Sequence, residues 1–596
     1  SSATAVTVDR QILDSVWKKN AILHRLSDVL KVSEWHLRQN LKDVRVSPYK
    51  PVPVAYDVKP EQRDYILENQ EDFFGAVDID RIPQRTYPLG RTAAHLLGYV
   101  GEISAEQLKQ DQFKHAHPPY AAGDIVGRDG LENYYDRYLR GTPQLQKVLV
   151  NSSGEVLREQ TIRNEQPGDD LVLYLDAGIQ KLTEESLKAG IFASRSAYPT
   201  PAGAAVVLDA KTGGVLGMAS FPDYNPRQLA DGLSTKEYKE LGAKTKNNPD
   251  DDAFLNRAIQ AQRAPGSTFK IVTSGAAMST GIASPYAQLD CPGVKYYPPP
   301  GAPGVEPGSS QPFNNWTSLN LGFMDFTKAL EVSCDTFFYE LGWRLEDTYG
   351  WQLGDQSEQF QKYARLAGLG HETGIDLPNE MDGLVPDHKW CEEVWEATKN
   401  DKIPTCGTHA DWIWLPGYTV NMAIGQGDLL TTPLQMAVTT AAVANGGSVW
   451  RPHLAMELAR PDKNDVEQSV KDFAPDAVAH LPLDPLQLSV IQQGMVNAVA
   501  EPDGTAHSAF LGFPLENFPV AGKTGTAELT SSSSNLQDAW FVSFAPANDP
   551  QYVVVVYLEK SGHGGETAAP VARQIYEGLF GIDRDAVVHL GVDRSR

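Results

Sequence analysis

Cysteine is scarce. The 596-residue chain has only four, Cys291, Cys334, Cys391 and Cys406, which excludes a small fold stapled by disulfides. The even count still permits two bridges and hints at an oxidising compartment. Long apolar runs are missing as well. No stretch approaches the roughly 18 residues that a membrane span needs, and the purest run, residues 553–558, has only a strand's length. Basic charge is also short. Lys and Arg number 52 against 76 Asp and Glu, a formal charge of −24, so nucleic acid is not expected as a main partner, because phosphate binding needs a basic surface. No internal repeat, phosphate loop, dinucleotide fingerprint or glycosidase-like pair of acids stands out. The run Asp250-Asp251-Asp252 reads as a solvated turn.

What is present is the composition of an ordinary globular protein. Apolar residues make up 41% and charged residues 21%, which excludes wholesale disorder, collagen and coiled coil. At roughly 100–200 residues per domain, the length implies about two to four domains. Residues 1–167 are polar, with little continuous core, and read as an extended accessory module. Apolar residues at 3–4 spacing (Ile12, Val16, Ile22, Leu26, Leu30) predict helix over 8–41. An extended piece broken by Pro48, Pro51 and Pro53 follows, then helix over 60–69, an irregular segment around Pro83, Pro88 and Gly90, a loop over 117–123 and helix over 131–139.

The pattern changes near Gly168, and residues 168–596 read as a second module. Strands are expected over 171–175, 203–209, 215–220, 520–529, 539–546 and 552–560. The pair at 203–209 and 215–220 is joined by a hairpin signal, Ala210 to Gly214. Helices are expected over 177–191, 267–280, 326–342, 433–445 and 570–580. Strands at both ends with helices between them predict an α+β fold, one antiparallel sheet covered by helices. Two Gly/Pro-rich insertions, 298–312 and 390–414, interrupt it.

Three short motifs carry chemistry. In Pro265-Gly266-Ser267-Thr268-Phe269-Lys270 a turn leads into an apolar helix, and Ser267 and Lys270 share one helix face. A serine hydroxyl is a poor nucleophile at neutral pH, but a neighbouring deprotonated amine can serve as its base. Ser333-Cys334-Asp335 falls within a helical pattern with Ala329, Leu330, Phe337, Phe338 and Leu341. Lys523-Thr524-Gly525-Thr526 lies in a strand-like run. There Gly525 would let a substrate backbone come close, and an extended peptide could add to the strand. Lys523 would attract a carboxylate, with Thr524 and Thr526 binding it by hydroxyl. Each motif alone is weak. Ser15-Val16-Trp17-Lys18 and Ser47-Pro48-Tyr49-Lys50 also read S-x-x-K, and Lys211-Thr212-Gly213 sits in a hairpin turn. The specific signal is their joint order, each in its expected local setting.

That order is similar to the motif set of penicillin-recognising serine transferases and hydrolases. The chain resembles a class B penicillin-binding protein of the elongation type, the group called penicillin-binding protein 2. The resemblance runs over nearly all residues. It includes Arg85-Thr86-Tyr87-Pro88, His95 to Gly101, Gly127 to Glu132 and Leu139-Arg140-Gly141, which look like the family's non-catalytic pedestal. It also includes Ala219-Ser220-Phe221-Pro222, Ile424-Gly425-Gln426-Gly427 and Thr431 to Gln435.

The resemblance implies a peptidoglycan D,D-transpeptidase. Ser267 would attack the D-Ala–D-Ala amide of a stem peptide, Lys270 would take its proton, and Ser333 would relay a proton to the leaving nitrogen. Lys523 would steer the terminal carboxylate, and the Ser267 and Thr526 N–H groups would form the oxyanion hole. Asp335, Thr524, Gly525 and Thr526 are grouped as substrate-binding. β-Lactams would acylate Ser267. No cofactor or metal is expected. The implied partners are stem peptides, β-lactams, a separate membrane glycosyltransferase and elongation-machinery proteins. The implied location is the extracytoplasmic face of the bacterial cytoplasmic membrane, through an N-terminal anchor that this chain, starting at Ser1, lacks. A D,D-carboxypeptidase or β-lactamase-like hydrolase, and a β-lactam sensor or non-catalytic scaffold, are the alternatives.

One departure matters. The family's common second motif is S-x-N, and Asp335 stands at the third position, as the elongation type resembles. A carboxylate cannot donate like an amide unless protonated, so a bond from Asp335 to Lys270 or Lys523 is the expected compensation. Some elongation-type relatives carry a metal ligand at the Cys334 position. With Cys291 upstream and no His in the 314–322 segment, a Cys291–Cys334 disulfide or two free thiols is expected here instead of zinc. His388-x-x-Cys391 and Cys406-x-x-His409 leave three states open: disulfide, zinc site and free thiols. The implied setting outside the cytoplasm favours the disulfide.

Overall fold

The computed structural model describes residues 2–15, 17–42, 51–56, 58–83, 85–121, 124–151, 156–230, 241, 252–297, 311–350, 357–401, 405–406, 409–461, 467–528 and 536–582. Most of the 298–312 insertion, with Asp250 and Asp251, lies outside them. By internal contacts the chain forms two compact units. One comprises Ser1–Gly90, Tyr99–Arg128 and Asn225–Gly232; the other comprises Arg91–Gly98, Asp129–Tyr224 and Leu233–Arg596.

The first unit has a core of its own. Strand Ser2–Val8 lies between Val52–Ala55 and Val77–Pro83, antiparallel to both. The expected 8–41 helix is instead this strand's end followed by three helices, Arg10–Ser15, Lys19–Leu30 and Glu34–Leu41. Local chemistry explains the last break. Lys31 takes a left-handed conformation after Leu30, and Ser33 caps the next helix by accepting from the His36 N–H. Val6, Leu13, Leu23, Leu26, Val54 and Phe73 close the core beneath.

The second unit is built on a five-stranded antiparallel sheet. Its order is Val215–Phe221, Gly203–Asp209, Tyr552–Leu558, Gln537–Ala545, Ala521–Glu528. The α+β expectation therefore holds, hairpin included. Burial on both faces explains why Tyr552–Leu558 shows no polar alternation. Val554, Val556, Ala539 and Phe541 face helices Ala177–Ser194 and Gly564–Leu579, through Leu187, Val571 and Ile575. Val553, Val555, Trp540 and Val542 face the other core, with helices Lys270–Ser279 and Pro433–Ala444. The latter helix opens on a capping box, Thr432 with Gln435, and Pro433 in its first turn. Ala521–Glu528 is an edge strand, so one side of its backbone is left unpaired by the sheet.

Two expected helices are interrupted at the motifs. Gly266–Phe269 is a 3-10 turn, with α-helix only from Lys270 to Ser279. The 326–342 pattern is two helices, Phe326–Glu331 and Asp335–Leu345. The S-x-D motif is thus the hinge between helices and not a mid-helix segment. Ser333 there holds a left-handed backbone, φ 57°. Apolar periodicity continues across the break, because Leu330 and Phe337 enter the same core. Cysteines pair as Cys291–Cys334 and Cys391–Cys406. The second pair spends both thiols of the H-x-x-C and C-x-x-H repeats within a small cluster with Trp414, which corrects the zinc alternative.

Candidate active site

The site forms where the Ser267 turn, the Ser333 hinge and the edge strand Ala521–Glu528 converge in the second unit. Glycines allow the approach. A Cβ on Gly266 would stand 2.4 Å from the Thr526 carbonyl oxygen, and one on Gly525 would stand 2.6 Å from that of Pro265. The space at Gly525 is therefore taken by the chain's own turn, and not by a substrate backbone. Thr268 Oγ1 donates to the Pro265 carbonyl at 2.7 Å and tightens the turn. In a 3-10 turn residues i and i+3 eclipse, so Ser267 and Lys270 lie on one side. Ser267 is half-buried, whereas Lys270 is fully buried.

Lys270 Nζ donates to the Ser333 carbonyl (2.8 Å), Ser333 Oγ (3.1 Å) and Asp335 Oδ1 (2.6 Å). Burial pushes its pKa below the ordinary lysine range, and the Asp335 carboxylate opposes that fall. Lys523, also fully buried, donates to Ser333 Oγ at 2.8 Å. Ser333 Oγ thus accepts from the Nζ of two lysines. A hydroxyl has two acceptor sites and one proton, so its proton is left to donate to a third group. Four residues from three distant segments share one hydroxyl-centred network.

Two motif residues are occupied differently than expected. Asp335 is grouped above with substrate-binding residues, yet both its oxygens are engaged by protein: Oδ1 by Lys270, and Oδ2 by the Trp316 N–H at 3.0 Å. Its bond to Lys270 is the compensation expected for the missing amide. Thr524 is buried, and its Oγ1 donates to Thr505 Oγ1 at 2.7 Å. Thr526 is half-buried on the edge strand, and its carbonyl accepts from Gln426 Nε2 at 3.1 Å.

Sequence motifs missed several supporting residues. Gln426 and Gly425 were visible only as part of a glycine-rich block. Asn315, whose Oδ1 accepts the Asp335 N–H at 2.9 Å, carries no local signal. Neither does Thr505. His563 sits at the start of helix Gly564–Leu579. Among the described residues no group of His, Cys, Asp and Glu has the arrangement of a metal site.

Known proteins resemble this chain over most of its length. Residues 203–577 match the model of the penicillin-binding protein transpeptidase domain, and residues 1–173 match that of the penicillin-binding protein dimerisation domain. A peptidoglycan D,D-transpeptidase MrdA of Salmonella typhimurium is 30% identical over 579 residues, 94% of this chain and 83% of that protein. Penicillin-binding protein 2 of Helicobacter pylori, solved with MreC, shares the fold at TM-score 0.74 and 23% identity, over 98% of this chain and 94% of that one. A protein of a peptidoglycan synthase complex that couples polymerization and crosslinking aligns at TM-score 0.69 and 30% identity, over 98% and 88%. The chain therefore belongs to the penicillin-binding protein transpeptidase family, in its elongation-type, penicillin-binding protein 2 group.

Proposed function

We propose that this protein is a peptidoglycan D,D-transpeptidase of cell elongation that works through a serine acyl-enzyme. The observation that carries the mechanism is the shared Ser333 hydroxyl, held between Lys523 and Lys270, the lysine three residues after Ser267. Lys270, depressed by burial, is the base that takes the Ser267 proton as Oγ attacks the D-Ala–D-Ala carbonyl carbon. The Ser267 and Thr526 N–H groups receive the developing oxyanion. The proton then passes through Ser333 to the leaving D-Ala nitrogen, and the C–N bond breaks. Lys523 and Thr526 serve the terminal carboxylate, while Asp335 acts on Lys270 and Thr524 bonds Thr505, neither on substrate. An amine of a second stem peptide resolves the ester. The open side of strand Ala521–Glu528 suits an extended stem peptide added as a further strand.

Residues 1–167 are assigned the pedestal role and 168–596 the transpeptidase role. The MrdA relatives and the solved complexes, one with MreC and one a peptidoglycan synthase complex of polymerization and crosslinking, support an elongation role; a separate glycosyltransferase and work at the extracytoplasmic membrane face complete the proposal. No helix among the described residues is long and apolar enough to cross a membrane.

Intact mass after mixing with a penicillin tests the mechanism. A stable one-equivalent adduct mapped to Ser267, and absent in Ser267→Ala, is expected. Rapid penicillin hydrolysis without an adduct would replace the transpeptidase with a hydrolase. Neither adduct nor hydrolysis would leave a non-catalytic scaffold.

A further inference from the structure

The middle residue of the Ser333 hinge is covalently tied to a separate lobe. Cys334 is bonded to Cys291, 43 residues upstream, and both are fully buried. Cys291 belongs to a lobe of two small ladders, Leu289–Asp290 with Phe323–Met324 and Val294–Tyr296 with Pro312–Asn314. Its backbone is bonded on both sides, N–H to Gly322 and carbonyl to Leu321, each at 2.9 Å. The same lobe supplies the groups that aim Asp335. Asn315 Oδ1 accepts the Asp335 N–H at 2.9 Å, the Trp316 N–H donates to Asp335 Oδ2 at 3.0 Å, and Asn315 Nδ2 donates to Cys291 Sγ at 3.5 Å. On the hinge side, Cys334 Sγ accepts from the Phe337 N–H at 3.3 Å and so caps the helix that Asp335 begins. Thr336 adds a bond from Oγ1 to the Pro292 carbonyl at 2.8 Å. The hinge itself needs holding, because Ser333 is a non-glycine residue in the left-handed region.

We propose that the Cys291–Cys334 disulfide is a positioning element of the acylation site: it clamps the two ladders at residues 289–296 and 312–324 onto the Ser333 hinge and so holds Asp335 against Lys270. The proposal rests on the acyl-enzyme reading above. It makes both the rate of Ser267 acylation and its pH dependence depend on this one disulfide. The charged and polar groups facing Lys270 are Asp335 at the helix start, the Ser333 carbonyl and hydroxyl of the hinge, the Phe338 ring at 5.4 Å, and Lys523 through the shared Ser333 hydroxyl. Of these, only Asp335 stabilises the ammonium by charge. Burial favours the neutral amine. With the clamp gone, Asp335 is held less closely, the Lys270 pKa falls further, and the acid limb of the acylation profile moves to lower pH. The plateau rate falls as well, because the Ser333 relay loses its fixed geometry.

The test is the rate of Ser267 acylation by a penicillin, read by intact mass on the full chain across pH, with thermal unfolding alongside. The Cys291→Ala/Cys334→Ala variant is expected to acylate about ten-fold slower or more, the scale of a lost bond to a charged group, with its acid limb at lower pH. Asn315→Ala keeps the disulfide but removes one of the contacts through which the lobe holds Asp335, and is expected to move both quantities the same way by less. Cys391→Ala/Cys406→Ala is expected to leave both unchanged. An unshifted limb and native rate in the double variant overturn the proposal. So does a slower rate with an unshifted limb, which reduces the disulfide to a staple. Should that variant fail to fold, native behaviour of Asn315→Ala overturns it. No adduct on the native protein at any pH strikes the acyl-enzyme reading itself and removes the positioning role with it.

Discussion

Gly266 and Gly425 meet backbone to backbone. The Gly266 N–H donates to the Gly425 carbonyl at 2.9 Å. Both lie at positive φ, 54° and 76°, and a Cβ on Gly425 would fall 2.0 Å from the Gly266 carbonyl oxygen. The turn that presents Ser267 is therefore seated on the loop whose next residue, Gln426, holds the Thr526 carbonyl.

Gly425→Ala should accordingly misplace the nucleophile. Strain of roughly 1–3 kcal/mol is expected from the left-handed backbone and the clash. Displacing the reacting group by about 1 Å can cost on the order of 100-fold in rate. Penicillin acylation falling by more than about ten-fold, with a lowered melting temperature, is the expected pair of readings.

Asp335→Asn keeps an oxygen for Lys270 but removes the charge. Asp335 opposes the downward push of burial on the Lys270 pKa, so its neutral replacement lets that pKa drop. The amine then stays deprotonated to lower pH. The acid limb of acylation should move down by about one pH unit or more, measurable from adduct formation at a series of pH values.

Asp538 is 1% exposed, and burial raises its carboxyl to about 6 from an ordinary 3.8. The folded protein therefore keeps a proton that the unfolded chain has lost. This contribution to stability is fully present below about pH 4 and is lost as pH rises through 6. Its size is roughly 3 kcal/mol. Asp538→Asn should gain stability relative to the native protein between pH 4 and 7 by up to that amount. Denaturant unfolding at the two pH values checks it.

Arg257 and Glu559 form a pair with side chains 1% and 4% exposed, Nε to Oε1 at 2.8 Å. Removing one partner, as in Glu559→Ala, should destabilise by about 3–5 kcal/mol, because the guanidinium loses its buried counter-charge. Arg257→Met/Glu559→Leu should recover most of that loss. A double-mutant cycle of unfolding free energies makes the comparison.

The sheet was legible because strands such as Tyr552–Leu558 are short, apolar and bounded by turn residues. The site's principal side chains were legible because their spacing within each motif is local. Breaks between helices were harder to see. Phe326–Glu331 and Asp335–Leu345 feed one core, so the hydrophobic period runs through Ser333 although the backbone does not. Gly525 was read as room for substrate, but whose backbone fills that room depends on Pro265, 260 residues away in sequence.

The sequence by itself determined the local chemistry: a serine with a lysine three residues on, a second serine with an acid two residues on, a lysine strand, and the alternation of strands and helices that requires an antiparallel sheet with covered faces. These follow from nearest-neighbour stereochemistry and hydrophobic period. Tertiary structure alone decided that Lys270 and Lys523 share the hydroxyl of Ser333, that Asp335 turns to Lys270, and that Cys334 is tied to Cys291. Those contacts join residues 43 to 190 positions apart. Closing such loops is driven by burial of the whole core, which no single motif encodes.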